Sequence, residues 1–212
     1  MIEDKITSEA LEPEYTYMAL LSNKINVLIV GGKRSAYIKC KTFSEKGCSV
    51  VVVAEEFGYE FEEFKNMKNV NLINGSYKKA YLEDKHLVVI ALPKGIAEEE
   101  IKKDCEEYYK IYLTCSNYRQ GNFITPYQRN SQKICFGLNI KNASPFTSRF
   151  IGNEILKGIS KYDSYVSYVS SLREKLRNSN IKDNVLSFIS SEDFYYFYEL
   201  GKADIILKMF YE

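Results

Sequence analysis

The sequence has no tryptophan, a single histidine and no excess of either charge. Its 29 basic and 28 acidic side chains give a formal net charge of +1, so no global field favours nucleic acid or a membrane surface. The lone His86 has no cysteine or carboxylate pattern around it that would indicate a metal site, and we interpret it as a surface or strand-start histidine. We therefore expect no nucleic-acid partner, no membrane partner and no bound metal.

Cysteine pairs and long apolar runs are also missing. The five cysteines are odd in number, widely spaced and without a CxxC pair, which favours reduced thiols in a cytoplasm over disulfides or zinc. The N-terminus carries no apolar signal segment. The longest apolar runs, such as residues 50–54 and 87–92, are far shorter than the roughly 18 residues of a membrane span. These observations predict a cytoplasmic protein.

Aromatic and aliphatic residues, by contrast, are plentiful. Hydrophobic residues make up 45% of the chain, which is enough for a real core in one or two small domains. Tyrosine occurs 18 times and phenylalanine 12 times, and many of these rings lie in the last third, as in the segment SEDFYYFYEL. We interpret them as residues of packing or subunit contact rather than of ligand stacking.

The regular pattern begins after a polar, acidic stretch of 16 residues. The segment NVLIVGG is a short apolar run ended by glycines, as expected of a strand buried on both faces. The next segment places Ala36, Ile38, Cys40 and Phe43 on a helix before a stop at Gly47. A second buried strand follows in CSVVVVAEEF. Together they predict a right-handed βαβ unit with a parallel sheet.

Strands and helices alternate to about residue 118, which predicts a doubly wound parallel sheet. Here EFEEFKNMKN is weakly helical, KAYLEDK is a helical turn and EEEIKKDCEEYYK is a helix, while VNLIN, HLVVIAL and IYLTCS are strands. Two short strand-like runs around polar turns then predict a small antiparallel unit. From Phe146 onward the pattern is entirely helical, and Ser191 is a good helix cap.

A dinucleotide fingerprint lies at the turn after the first strand. It needs a glycine in the tight turn, a second where the backbone approaches the pyrophosphate, and a small residue where helix meets strand. Gly31 and Ala36 fill the first and third roles, and Lys33 stands at the second. Glu55 and Glu56 follow the second strand, where a carboxylate binds the ribose hydroxyls and repels a 2′-phosphate. This pattern favours NAD over NADP.

Lys33 leaves two interpretations of this turn open. In the first, the turn still binds a dinucleotide. The Lys33 side chain would crowd the pyrophosphate, although its ammonium group can also turn toward the phosphates and offset part of that cost. In the second, the chain is a doubly wound domain whose nucleotide site has decayed.

Further motifs make the pattern specific. After VLIVGGKRSAYIKCKTFSEKGCSVVVVAEEF come LINGSYKKAYLEDKHLVVIAL, NFITP and NASP. From about Met18 to Phe150, these segments resemble the bifunctional precorrin-2 dehydrogenase and sirohydrochlorin ferrochelatase family, the N-terminal module of siroheme synthase. The resemblance implies oxidation of precorrin-2 to sirohydrochlorin, with a hydride passed to NAD, in siroheme or cobalamin biosynthesis. Some members of the family also insert ferrous iron.

The resemblance also implies an α/β architecture in which a Rossmann-like parallel sheet is followed by a small antiparallel dimerisation unit and a C-terminal helical domain. We expect an N-terminal extension at residues 1–16, a Rossmann NAD-binding domain at 17–118, a dimerisation unit at 119–145 and a helical domain at 146–212. In the family, strands are exchanged between two subunits and the helical domain covers the tetrapyrrole. We therefore expect a homodimer.

The expected cofactor contacts, Ser116 and Ser144 follow from the resemblance position by position, whereas Arg119 and Arg149 are chosen for their positive charge. The expected cofactor contacts are Gly31, Gly32, Lys33, Arg34, Ser35, Ala36, Glu55, Glu56, Ala91 and Leu92. The expected substrate contacts are Ser116, Arg119, Ser144 and Arg149. A tetrapyrrole with several carboxylates needs cations, and Arg129, Lys133 and Lys141 are further candidates.

Some motif positions depart from the family pattern. The A-T-D-D segment beside the cofactor is Ala91, Leu92, Pro93 and Lys94 here, without its polar groups. The motif F-x-x-P is kept at residues 123–126, and G-x-S-P at residues 142–145 has Asn142 in place of its glycine, with Ala143 next to it.

The family motif N-x-x-D, whose aspartate is thought to serve catalysis, corresponds to residues 114–117 and ends in Asn117. Asn117 is therefore the expected catalytic position. An amide cannot accept the proton that oxidation of precorrin-2 releases, but it can orient the macrocycle by hydrogen bonding. Cys115 has no second histidine in the chain to activate it as a nucleophile, and we interpret it as a small buried apolar residue.

Three functions remain open at this stage. The first is an NAD-dependent precorrin-2 dehydrogenase, and the second is a protein of the same fold that binds a tetrapyrrole or nucleotide without catalysis. The third is a chelatase that works without NAD. Metal insertion requires deprotonated pyrrole nitrogens and is helped by a carboxylate, so Asn117 favours the dehydrogenase over the chelatase.

Overall fold

The computed structural model describes residues 14–141, 144–177 and 182–211. Most of the predicted N-terminal extension, the motif positions Asn142 and Ala143, and residues 178–181 of the predicted helical region lie outside the described residues. The chain forms two compact units, with the division between Ile124 and Thr125.

A five-stranded parallel sheet, in the order β3-β2-β1-β4-β5, forms the centre of the first unit. Its strands are β1 (Asn26–Val30), β2 (Ser49–Ala54), β3 (Val70–Asn74), β4 (Leu87–Ile90) and β5 (Ile111–Thr114). Strand β1 pairs with β2 on one side and with β4 on the other. The strand order therefore reverses between β1 and β4, and the crevice at the carboxyl ends of these two strands is where α/β proteins bind ligands. The predicted doubly wound sheet is confirmed.

Helices cover both faces of the sheet. On one face, Ala36, Cys40 and Phe43 of α1 (Arg34–Ser44) pack against Val27 and Ile29. On the other face, Ile101 and Cys105 of α2 (Ile96–Glu107) belong to the cluster that contains the alternate residues of β1. Successive side chains of a strand point to opposite faces, so the apolar run of β1 supplies both cores.

The segment predicted as weakly helical and the one predicted as a helical turn are short 3₁₀ helices, at Tyr59–Phe64 and Lys79–Leu82 respectively. In the first, Phe61 and Phe64 are both buried. Their spacing of three residues matches the repeat of a 3₁₀ helix and brings both rings onto the core. Two further 3₁₀ helices cover Ser22–Lys24 and Tyr118–Gln120.

The second unit begins with an antiparallel pair, β6 (Tyr127–Asn130) and β7 (Cys135–Leu138), as the sequence predicted. Helix α3 (Pro145–Ser160) packs against β6, and a Cβ at Gly152 would lie only 2.3 Å from the Tyr127 ring. A glycine is therefore required where the ring crosses the helix.

Four further helices complete this unit: α4 (Asp163–Lys175), α5 (Lys182–Phe188), α6 (Glu192–Glu199) and α7 (Ala203–Tyr211). The helical pattern predicted from Phe146 is interrupted, among the described residues, at 161–162, at 176–177, at 189–191 and at Gly201, whose φ of +68° ends α6 in the left-handed region. The Ser191 hydroxyl caps α6 by accepting a hydrogen bond from the Phe194 N–H at 3.2 Å, as predicted.

Aromatic rings make up much of the helical core. Tyr165 contacts the rings of Tyr195 and Tyr198 at centroid distances of 4.9 and 5.0 Å, and Phe194 is fully buried. This confirms the packing interpretation of the segment SEDFYYFYEL. All five cysteines are unpaired. Within residues 14–141, 144–177 and 182–211, no helix has the length and apolar character needed to cross a membrane.

Candidate functional site

The turn between β1 and α1 requires both of its glycines. Gly31 has a φ of +126°, and its N–H donates to the Val53 carbonyl at 2.9 Å. A Cβ at Gly31 would lie 2.5 Å from the Ala91 carbonyl oxygen, and one at Gly32 would lie 2.0 Å from the Glu56 carbonyl oxygen. These neighbours are backbone atoms that cannot move away cheaply, so the turn packs closely against the ends of β2 and β4.

Helix α1 begins at this turn, and its N-terminus is open. Lys33 is the N-cap residue and makes no side-chain cap hydrogen bond. Lys33, Arg34 and Ser35 are exposed, whereas Ala36 is fully buried against the sheet. The first N–H groups of a helix carry partial positive charge and have no partner within the helix, so such an end binds a phosphate group well. The residues present therefore fit the pyrophosphate of a dinucleotide.

Lys33 occupies an ordinary backbone conformation, with φ −99° and ψ −174°. The turn therefore does not require glycine at this position for backbone reasons, and the departure from the fingerprint leaves the turn intact. Arg34 lies over the Tyr37 ring at 5.3 Å and pairs with Glu60 at 3.4 Å. This exposed ion pair contributes little stability.

The two acidic residues after β2 have different surroundings. The Glu55 carboxylate accepts a hydrogen bond from the Ser76 hydroxyl at 2.8 Å, and the Glu55 carbonyl accepts one from the Asn74 amide. Both side chains are exposed. Because the Glu55 carboxylate is already engaged by Ser76 in the loop after β3, Glu56 is better placed to accept new hydrogen bonds at the tip of β2.

The segment after β4 has apolar side chains at Ala91, Leu92 and Pro93, so its contact with the glycine turn is made by the backbone. The Ala91 N–H donates to the Val30 carbonyl at 2.8 Å, and the Ala91 carbonyl faces Gly31. Leu92 packs against the core on the α2 side, whereas Pro93 and Lys94 are exposed. Ala91 therefore lies beside the glycine turn, but only through main-chain atoms.

The end of β5 holds the predicted catalytic position. Asn117 caps the short 3₁₀ helix, with its side-chain oxygen accepting from the Arg119 N–H at 3.1 Å. The Arg119 guanidinium group lies by the Tyr118 ring and hydroxyl.

Cys115 is partly buried, and burial raises the pKa of its thiol, although the charge of Lys39 acts in the opposite direction. A raised thiol pKa agrees with the interpretation that Cys115 is not a nucleophile.

Ser116 is exposed, and its hydroxyl donates a hydrogen bond to the carboxylate of Glu98, a fully buried residue of α2. Glu98 was not recognised from the sequence. A signal existed, because Glu98, Ile101 and Cys105 recur at the spacing of one helix face, and all three are buried. The acidic character of the surrounding EEE run concealed this pattern.

The remaining predicted substrate residues lie in the second unit. The Ser144 hydroxyl accepts from the Thr147 N–H at 3.2 Å and Pro145 is the first residue of α3, which confirms the predicted helix start. Arg149 is exposed on α3, and Arg129 lies over the Tyr127 ring at 4.9 Å. The predicted substrate contacts are therefore divided, with Ser116 and Arg119 in the first unit and Ser144 and Arg149 in the second.

His86 and the acidic residues form no metal centre in the part of the chain that the structure describes, where no group of three or more metal-ligating side chains occurs. The imidazole Nδ1 of His86 accepts a hydrogen bond from the Asn26 N–H at 3.0 Å, next to the start of β4. This agrees with a strand-start histidine.

The reversal of strand order, the close glycine turn and the open helix N-terminus define a nucleotide-binding protein of the Rossmann type. A family model described as "Putative NAD(P)-binding" matches residues 18–127, and the chain belongs to this family.

Curated relatives and solved structures agree with the resemblance found in the sequence motifs. Precorrin-2 dehydrogenase of Priestia megaterium is 24% identical over 161 residues, covering 76% of this chain and 77% of that protein. Siroheme synthase of Psychrobacter sp. (strain PRwf-1) is 23% identical over 123 residues, covering 58% of this chain and a quarter (25%) of that protein. The structure of SirC, a precorrin-2 dehydrogenase, superposes with a TM-score of 0.67 at 20% identity and covers 92% of this chain and 98% of that one. This likeness confirms the predicted fold.

Proposed function

We propose that the protein is an NAD-dependent precorrin-2 dehydrogenase that produces sirohydrochlorin in siroheme or cobalamin biosynthesis. The observation that carries the proposal is the glycine turn at Gly31 and Gly32, with an uncapped helix N-terminus beside it, at the point where the strand order reverses. The relative from Priestia megaterium, similar over three quarters of the chain, supports the choice of substrate.

In this proposal the N–H groups at the start of α1 bind the pyrophosphate, with Lys33 and Arg34 adding positive charge. The exposed Glu56 accepts hydrogen bonds from the ribose hydroxyls, and Glu55, held by Ser76, supports the same loop. A carboxylate at this position repels a 2′-phosphate, which favours NAD over NADP. NAD, when bound, supplies a hydride acceptor.

Asn117 has the role of orienting the macrocycle in this scheme. Its side-chain oxygen is used by the Arg119 N–H, so the amide group donates hydrogen bonds to the substrate. Ser116, Arg119, Ser144 and Arg149 remain the proposed contacts of the tetrapyrrole and its carboxylates.

We further propose a cytoplasmic homodimer. The unpaired cysteines agree with a reducing compartment, and the exposed Phe146 and Phe150 of α3 supply apolar surface for a subunit contact.

The test is a single-turnover assay under anaerobic conditions. Purified protein mixed with precorrin-2 and NAD produces one NADH for each sirohydrochlorin, followed by absorbance, and NADP at the same concentration gives a much lower rate. Absence of NADH at saturating precorrin-2 and NAD contradicts the dehydrogenase. Size-exclusion chromatography with light scattering tests the dimer in the same preparation.

A second candidate is a tetrapyrrole-binding protein of the same fold without catalysis. It is favoured by one observation, the departure from the family motifs, with apolar Leu92 and Pro93 at polar positions and an amide, Asn117, in place of a carboxylate. Titration calorimetry separates the two, since a carrier binds sirohydrochlorin but not NAD.

A second experiment compares the turnover of the Asn117→Asp variant with that of the wild type. Aspartate also caps the 3₁₀ helix, so the variant keeps the local structure. A large gain in turnover identifies a dehydrogenase limited by the missing carboxylate.

A further inference from the structure

Glu98 is a fully buried acidic residue of the first unit. Its side chain is 0% exposed, and its second carboxylate oxygen, Oε2, has no hydrogen-bond partner. Among the described residues, no other buried side-chain oxygen or nitrogen is left without a partner. An unpartnered polar atom in a protein interior costs free energy, and such atoms concentrate at sites with a catalytic or binding role.

The position of Glu98 favours a negative charge. It is the third residue of α2, a helix of 12 residues, and the N-cap residue Gly95 provides no side-chain cap. The positive end of the helix therefore faces the carboxylate and offsets part of the cost of burial. Packing places this carboxylate, because Ile101 and Cys105 on the same helix face belong to the core.

Ser116 connects this buried carboxylate to the surface. It lies two residues beyond the end of β5, at the carboxyl edge of the sheet, and it is exposed. Because its hydroxyl hydrogen is donated to Glu98 Oε1, the lone pairs of its oxygen remain available on the exposed side. A hydroxyl polarised by a carboxylate in this way is a proton acceptor, as in nucleophile and base pairs of enzymes.

The neighbouring side chains cannot take this role. Asn117 is an amide, and its side-chain oxygen accepts from the Arg119 N–H. Thr114 is buried and donates its hydroxyl to the Asn117 carbonyl. The pKa of the Cys115 thiol is raised by burial, which keeps the thiol protonated at neutral pH. Of these four consecutive residues, Ser116 alone joins an exposed oxygen to a carboxylate.

We propose that Ser116 and Glu98 form a proton relay that accepts the proton released when precorrin-2 is oxidised. This inference rests on the proposed dehydrogenase function. The substrate loses two electrons and two hydrogens, one as a hydride that NAD accepts and one as a proton. A bond from that proton to Ser116 Oγ forms while the original Ser116 O–H bond breaks, and the hydroxyl hydrogen passes to Glu98 Oε1.

After the transfer, Ser116 is again a neutral hydroxyl group and Glu98 is a neutral carboxylic acid. The proton then returns through Ser116 to solvent. Ser116 is the catalytic residue of this pair, and Glu98, which acts through it, is the positioning residue. The pair supplies the proton acceptor that Asn117 cannot provide.

The test compares four variants of the full-length protein in the anaerobic precorrin-2 assay. We expect Glu98→Gln and Ser116→Ala to lower kcat about 100-fold while KM for NAD and precorrin-2 stays unchanged. Ser116→Thr keeps a hydroxyl and retains kcat within roughly fivefold. The matched control is Glu99→Gln, next to Glu98 but exposed and paired with Lys102, and its kcat equals that of the wild type.

Infrared difference spectra on adding sirohydrochlorin give a readout that does not depend on turnover. We expect a carboxyl band of Glu98 that is absent in Glu98→Gln and shifted in Ser116→Ala. NAD affinity, measured by calorimetry, reports whether each variant is folded, and the exposed Ser116→Ala keeps the test valid if Glu98→Gln does not fold.

The outcomes separate the relay from the proposed function. A wild-type protein that makes no NADH overturns the dehydrogenase and the relay together. A wild-type protein that turns over, with Ser116→Ala equally active, overturns the relay alone. A fall in kcat that Ser116→Thr does not rescue, or a rise in KM with kcat unchanged, also overturns it.

Discussion

At the residue scale, Lys33 is the main departure from the dinucleotide fingerprint. Its extended backbone is accessible to any residue, and its exposed side chain stands at the open N-terminus of α1. A cation at this position attracts phosphate oxygens, with a strength typical of exposed charge pairs. We therefore expect Lys33→Gly to weaken NAD binding roughly three- to fivefold and to reduce its salt dependence.

Calorimetric titration with NAD at two ionic strengths measures this effect. The control is Lys68→Gly, which removes the same exposed charge just before β3, at the amino edge of the sheet, and leaves NAD affinity unchanged. Tighter binding by Lys33→Gly would establish instead that the lysine obstructs the cofactor.

Gly32 has a stricter requirement than Lys33. A Cβ there would lie 2.0 Å from the Glu56 carbonyl oxygen and 2.8 Å from the Ala54 Cβ. Gly32→Ala must displace the end of β2, and we expect a loss of about 1–3 kcal/mol in the free energy of unfolding. Urea denaturation measures the loss. The control Gly158→Ala, in open space on α3, is expected to stabilise by about 1 kcal/mol. Equal stability of the wild type and Gly32→Ala would contradict the close packing of the turn against β2.

At the element scale, Asp163 links the start of α4 to the turn between β6 and β7. Its carboxylate accepts hydrogen bonds from the Ser131 hydroxyl and from the N–H groups of Gln132 and Lys133, at 2.7, 3.0 and 2.9 Å. The Ser131 bond is the largest cause that lowers the pKa of Asp163 below its ordinary value of 3.8, and the two N–H groups add to it.

A lowered carboxyl pKa stabilises the folded state at pH values above the unfolded-state pKa, and this contribution is lost as the pH falls through the folded-state value. We therefore expect Asp163→Asn to lower the urea midpoint of the second unit at neutral pH. The difference from the wild type shrinks below pH 3.8, where the wild-type carboxyl group also becomes protonated. Far-ultraviolet circular dichroism, to which the five described helices of the second unit contribute more than the two of the first, follows this transition. A difference that does not change with pH would mean that the charge of Asp163 has no part in it.

Strands and helices could be predicted from the sequence where a residue pattern is compatible with only one type of secondary structure. The apolar, β-branched runs of β1 and β2, with glycines between them and α1, indicated a buried parallel pair correctly. The segment around Phe61 and Phe64 was less certain because a spacing of three fits the 3₁₀ repeat as well as the α-helical one, and only the sheet face decides between them.

The site was predictable in part for a similar reason. Gly31 is required by its positive φ and Gly32 by the close approach of the Glu56 carbonyl, and both lie in a turn that a sequence motif records. Glu98 is a site candidate only because α2 turns it inward against the residues that follow β5, a contact across 18 positions of sequence that no local pattern contains. A charged residue inside an acidic run gives no sign of its burial without the helix phase set by Ile101 and Cys105.

At the scale of the whole molecule, the proposed NAD contacts all belong to the first unit, and the two units have separate hydrophobic clusters. A ligand stabilises what it binds, by about 2.7 kcal/mol at a concentration of 100 times Kd. We expect hydrogen exchange with NAD present to slow by this amount in the amides of β1, β2 and β4 and to remain unchanged at Val185, Ile189 and Phe194. Mass spectrometry of the full chain, with NADP as the comparison ligand, measures both regions at once. An equal gain of protection in both units would mean that NAD binding depends on residues of the helical unit, and the contacts proposed here from the first unit alone would then be incomplete.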